Sequence, residues 1–154
     1  MKNIILLSAT ACALFLNMAG SSDENPTTPI VFQDTAPIKA MVEGNWTVTN
    51  YIDHTLVQTD HFTGYTFNFA SSGVLTAFNG TDTVTGTWSV TNDQTIDDSS
   101  SDFIDLNIAF VAPPDFEDIS DDWDFISKSE TKLELIDVSG SSDNTDYLTF
   151  EKVN

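Results

Sequence analysis

Residues 64–90, GYTFNFASSGVLTAFNGTDTVTGTWSV, decide the fold. Tyr65, Phe67 and Phe69 alternate with Thr66 and Asn68, and Val84, Gly86, Trp88 and Val90 alternate with Thr85, Thr87 and Ser89. A period of two turns one face of an extended chain toward a core and the other toward water. Ser72-Gly73 and Asn79-Gly80 separate the runs, where hairpin turns need residues that accept positive φ. The stretch therefore reads as three strands of an antiparallel meander.

The same spacing continues on both sides. It predicts strands at 44–52, 63–69, 74–79, 83–90, 103–110, 121–127, 132–138 and 146–152. Residues 53–62 form a connection with room for a short strand of its own. Pro113-Pro114 bars residues 111–120 from a central strand, and one helical turn is expected near Phe116 to Ile119. Residues 92–102 make an acidic, serine-rich loop, and Gly140 to Asn144 a small polar turn. Short strands joined by sequential hairpins predict an all-β chain, a small eight-stranded antiparallel up-and-down barrel, because closure removes exposed edges.

The N-terminal residues have a different composition. Lys2, the apolar run Ile4 to Met18 and the small pair Ala19-Gly20 read as an export signal over residues 1–20. Residues 21–40 hold Pro26, Pro29 and Pro37 among Ser, Thr and Asp and read as a flexible acidic tether. Residues 41–154 form the barrel domain, large enough for one core. Cys12, the single cysteine, falls inside the signal, so no disulfide is expected in the exported chain.

Charge narrows the partners. Five lysines and no arginine face 24 acidic residues, for a net charge of −19. Nucleic acids and anionic lipid are bound through basic patches that release counterions. Nucleic-acid binding and membrane insertion of the exported domain are therefore not expected.

The order Gly44-Asn45-Trp46, then GYTFNF (64–69), TGTWSV (85–90), DDWDFIS (121–127), KLELIDVS (132–139) and DYLTFEKV (146–153) resembles the small lipocalin-like domains of exported Bacteroidetes proteins. Gly-x-Trp opening the first strand is similar to the lipocalin signature. The resemblance implies a barrel with Trp46 plugging one end. Lipocalins usually stack an arginine of the last strand on that tryptophan, and Lys152 is the only candidate here. Met18-Ala19-Gly20-Ser21 resembles a bacterial lipobox with serine replacing the lipid-accepting cysteine, followed by an acidic Ser22-Asp23-Glu24. This implies export to the periplasm or the extracellular medium. Relatives with cysteine at the position of Ser21 would be lipid-anchored.

The aromatic residues are the candidate site. Trp46, Tyr65, Phe67, Phe69, Trp88, Trp123 and Phe125, with Phe78, Phe103, Phe110 and Phe150, could line or fill the barrel. Lining it, they would hold a small hydrophobic or amphipathic ligand. Filling it, they would leave loops 92–102 and 111–120 to contact a protein or glycan, with Pro113, Pro114 and Phe116 as the exposed patch. Asp53-His54 and Asp60-His61 could face each other across a bent connection, but spacing fixes no third ligand, and they read as loop histidines. The acidic cluster from Asp115 to Asp124 lacks the alternating ligand order of a calcium loop. No GxSxG, HExxH, phosphate-cradling glycine loop or cysteine nucleophile is present. No cofactor, metal or catalytic residue is assigned, and the expected function is non-enzymatic binding.

Overall fold

The computed structural model describes residues 34–92, 104–139 and 144–153, all within one compact unit, Val31–Asn154. The expected signal, Ser21, most of the tether, Phe103 and nearly all of the 92–102 loop lie outside these residues.

Among the described residues nine strands follow one another: β1 (Gly44–Asp53), β2 (Leu56–Val57), β3 (Thr66–Phe69), β4 (Val74–Phe78), β5 (Thr83–Asn92), β6 (Ile104–Ala109), β7 (Asp122–Lys128), β8 (Lys132–Val138) and β9 (Thr145–Lys152). From β3 to β9 each pairs antiparallel with the next, and β9 pairs with β1 to close the barrel. The other edge of β1 is shared. Gly44–Trp46 pair with β3, and Ile52 and Asp53 pair with the two-residue β2. The result is a closed eight-stranded antiparallel up-and-down barrel, with β2 as an appendage.

All eight predicted strands are present within a few residues. Alternation explains their burial: Phe67 and Phe69, Leu75 and Ala77, Leu133 and Leu135, and Leu148 and Phe150 all point inward. Two bulges break the period. The register slips at Thr49 in β1, so Trp46 and Val48 are followed inward by Tyr51. It slips again at Ile126 in β7, so that Ser127 faces outward beside Glu134, as Ile126 before it already does. A bulge adds one unpaired residue and reverses the alternation beyond it.

Among the described residues, two short helices close the ends. Helix α1 (Ala36–Val42) precedes β1, and α2 (Pro114–Glu117) lies between β6 and β7. The segment read as a tether is thus helical from Ala36. Pro37 suits a first helical turn, where no N–H donor is needed. Ile38 and Val42, four residues apart, share a face and pack on the core. The connection 53–62 holds β2 and a 3-10 turn, Thr59–Phe62. Among the described residues no helix is long and apolar enough to cross a membrane.

Candidate functional site

The interior is a column of rings. Trp88 meets Phe69 at 5.4 Å between centroids, Phe69 meets Phe150 at 5.5 Å, and Phe150 meets Phe67 at 5.5 Å. Phe67 then stacks on Phe116 at 5.8 Å, which meets Phe62 at 5.4 Å, which meets Tyr51 at 5.7 Å. All but one of these contacts are edge-to-face, the arrangement the ring quadrupole favours. Trp46 and Trp123 are also fully enclosed, and each donates its indole N–H to a carbonyl four residues earlier, Val42 at 2.7 Å and Ile119 at 3.1 Å. Phe125 is buried, and Tyr65 packs half-buried on Phe116. The candidate residues Trp46, Tyr65, Phe67, Phe69, Trp88, Trp123 and Phe125 therefore share one core, in which their rings are largely occupied by one another.

Three expectations change. Phe78 points outward and is 48 % exposed, because it lies on the outer phase of β4. Phe116, expected in an exposed patch, is 2 % exposed and plugs the barrel beside Phe62. The two Asp-His pairs do not face each other. His61 Nδ1 lies 3.5 Å from Asp115, whereas His54 Nδ1 lies 2.5 Å from Asp53 and 3.0 Å from Asp146. Tyr51, Phe62 and Phe116 are interior residues that strand periodicity does not reveal. Their only mark in the sequence is bulk in a polar or bulged setting.

Among the described residues, two clefts lie outside the core. One, of about 440 Å³, sits between α1 and the β7–β8 turn and is bordered by Pro37, Met41, Glu130 and Lys152. The other, of about 360 Å³, lies on the outer face of β7, β8, β9 and β1, bordered by Asn50, Ile52, Ile126, Glu134, Tyr147 and Thr149. An apolar row crosses this second face, since Val57 pairs with Ile52, Ile52 with Tyr147, and Tyr147 with Ile136. Cross-strand partners project to the same side, so these four stand shoulder to shoulder. Val57 is 70 % exposed and the bulged Ile126 55 %.

The barrel ends differ in charge. Lys39, Lys128, Lys132 and Lys152, all the lysines among the described residues, lie on α1 or at the ends of β7, β8 and β9 nearest it. The opposite rim carries Asp53, Asp60, Asp82, Asp115, Glu117, Asp118, Asp121, Asp122, Asp137 and Asp146, with His54 and His61. This crowding shows in the titrating groups. Burial, helped by the charges of Asp53, Asp146, Asp118 and Asp121, raises the Tyr51 phenol well above its usual range, and its O–H donates to the Asp118 carbonyl at 2.8 Å. Burial first, then Asp122 and Asp137, pushes the Asp121 carboxyl up to about 6. Desolvation is the largest single influence on His54 and opposes its ionisation, but the hydrogen bond to Asp53 and the charges of Asp146 and Asp53 together outweigh it and raise its pKa.

No family model and no curated protein matches the sequence. The solved structures similar to the chain include two from Bacteroides. One is a lipocalin-like protein from Bacteroides uniformis ATCC 8492, 15 % identical, with a TM-score of 0.46 over 73 % of this chain and 99 % of that one. The other is a DUF4847 family protein from Bacteroides vulgatus ATCC 8482, also 15 % identical, with a TM-score of 0.47 over 73 % of this chain and 94 % of that one.

Proposed function

We propose that this chain is an exported, non-enzymatic interaction module, whose barrel is a filled scaffold and whose outer β7–β8–β9–β1 face contacts a polypeptide partner. One observation carries the proposal. The ring column runs from Trp88 to Tyr51, and both ends are covered, by α1 on one side and by Phe62 and Phe116 on the other. A ligand in the interior would have to displace rings that already satisfy one another, losing close-packed contacts. The outer face instead carries Val57, Ile52, Tyr147 and Ile136 in one row beside a cleft, an apolar surface of the kind that partner proteins cover. Asn50, Thr149 and Glu134 at the cleft offer polar groups to fix register.

Native mass spectrometry of the chain taken from its own cells tests the scaffold. A mass without added ligand is expected. A bound small apolar molecule, released by organic extraction, would restore the ligand-carrying barrel. A photo-crosslinking residue at Ile126 tests the face. It should capture one discrete protein in those cells, where the same residue at Phe78 does not. Equal capture from both positions would remove the proposed face.

A further inference from the structure

Asp53 closes β1, and His54 begins the two-residue turn that leads into β2. Asp146 stands near the start of β9. Ile52 pairs with Tyr147, so the next residues along the antiparallel ladder, Asp53 and Asp146, come side by side. Two carboxylates placed so repel each other unless a positive group lies between them. One donor atom from each of Asp53, His54 and Asp146 lies within 4.8 Å of the others.

We propose that Asp53, His54 and Asp146 form a binding site for a divalent transition-metal ion of the zinc class. The donor set is one imidazole nitrogen and two carboxylate oxygens. Imidazole favours zinc and its neighbours over magnesium and calcium, which prefer all-oxygen shells. Each carboxylate also accepts a further hydrogen bond, Asp53 through the oxygen turned away from the imidazole and Asp146 through the oxygen that faces it. Gln58 Nε2 donates to Asp53 Oδ2 at 2.7 Å, and the His54 backbone N–H donates to Asp146 Oδ1 at 2.7 Å. Outer partners of this kind fix ligand geometry in metal sites. The side chains keep 30 %, 46 % and 17 % of their surface, for Asp53, His54 and Asp146 in turn, so an ion can enter and water can complete its shell. The ion would take the place of the proton that His54 Nδ1 shares with the carboxylates. It would also tie the β1–β2 turn to β9. The acidic rim around the site raises the local concentration of cations, and the lysines stand at the far end.

The same rim would gather any divalent cation weakly, so the test separates the site from the field. Zn²⁺ is titrated calorimetrically into the metal-free full chain, with Mg²⁺ in parallel. One saturable Zn²⁺ site is expected, with amide shifts centred on residues 53–58 and 144–147. Asp146→Asn and His54→Ala should each weaken it at least about tenfold, while His61→Ala should leave it unchanged. His54 takes φ +57°, which alanine tolerates poorly, so Asp53→Asn supplies the same test without touching the turn. Zn²⁺ binding no tighter than Mg²⁺, or affinity that survives both Asp53→Asn and Asp146→Asn, would overturn the site.

Discussion

The barrel is closed by different means at its two ends. At the α1 end the plug belongs to the wall: Trp46 sits in β1, donates to Val42 and carries the Lys152 ammonium 4.8 Å above its ring. At the acidic end the plug belongs to the connections. Phe62 ends a 3-10 turn and Phe116 sits in the four-residue α2. A ring fixed in a hydrogen-bonded strand has little room to move when a neighbour is lost. A ring on a short connection can settle into space left beside it. One end is thus a rigid floor, and the other is a lid made of loops.

Removing each plug should expose that difference most strongly. Trp46→Ala should cost about 3–5 kcal/mol, the range for deleting a large buried aromatic. Phe116→Ala should cost about 3 kcal/mol, at the low end of that range, because α2 can close over the gap. Chemical denaturation read by tryptophan fluorescence measures both. Equal losses would mean that the lid is as rigid as the floor.

Gly86 tests the lid from the wall side. A Cβ there would stand 2.3 Å from the Ala109 carbonyl oxygen and 2.6 Å from the Phe110 ring. Phe110 packs on Phe116 at 5.1 Å, so the missing side chain of Gly86 makes the niche that holds the lid's neighbour. Gly86→Ala should destabilise by about 1–3 kcal/mol, as overpacking does, and should shift the amide resonances of residues 109–117. Shifts confined to β5 would uncouple the wall from the lid.

The walls were legible in the sequence and the lid was not. Period-two runs such as Tyr65-Phe67-Phe69 and Leu133-Leu135 mark strands because every second residue must be apolar to meet the core. Gly44-x-Trp46 and Lys152 marked the floor only through the resemblance to the lipocalin signature, and the lysine does lie on the indole. Phe62 and Phe116 sit alone in polar connections, where no period exists to reveal which way a ring faces. Helix α1 escaped because Pro37 reads equally as a tether residue and as a first-turn residue. The pairing of His54 with Asp146 depends on β1–β9 closure, which joins residues 92 positions apart. Neither the bulge at Thr49 nor the one at Ile126 has a sequence signal of its own, yet they set the inward turn of Tyr51 and the outward turn of Ser127.

Charge separates the ends at a smaller scale. The Asp121 carboxyl, raised from 3.8 to about 6, binds its proton more tightly folded than unfolded. Its contribution is therefore fully present below about 4 and is lost as pH rises through 6. Asp121→Asn removes that loss while keeping the Oδ1 acceptor for the Asp122 N–H. The variant should be more stable than the parent at pH 8, by about 1 kcal/mol once solvent screening is allowed for, and no more stable at pH 4. Thermal unfolding at the two pH values measures it. A gain that does not depend on pH would trace to packing instead.

The smallest effect belongs to the floor's cation. Lys152 Nζ hangs over the Trp46 ring and 3.4 Å from the Met41 carbonyl oxygen, while its stem passes close to where a Gly44 side chain would be. Lys152→Met keeps the apolar stem on the indole and removes the charge, so it should cost about 0.5 kcal/mol, the low end for a cation on an aromatic face near solvent. Lys152→Arg should recover that loss or exceed it, because a planar guanidinium stacks on the ring while an ammonium only points at it. Differential scanning calorimetry on the three chains orders them. If Met equals Lys, the charge adds nothing and the residue acts through its stem alone. The floor would then be held by the indole's own contacts, and the two ends of the barrel would differ in where their rings are anchored rather than in what charge covers them.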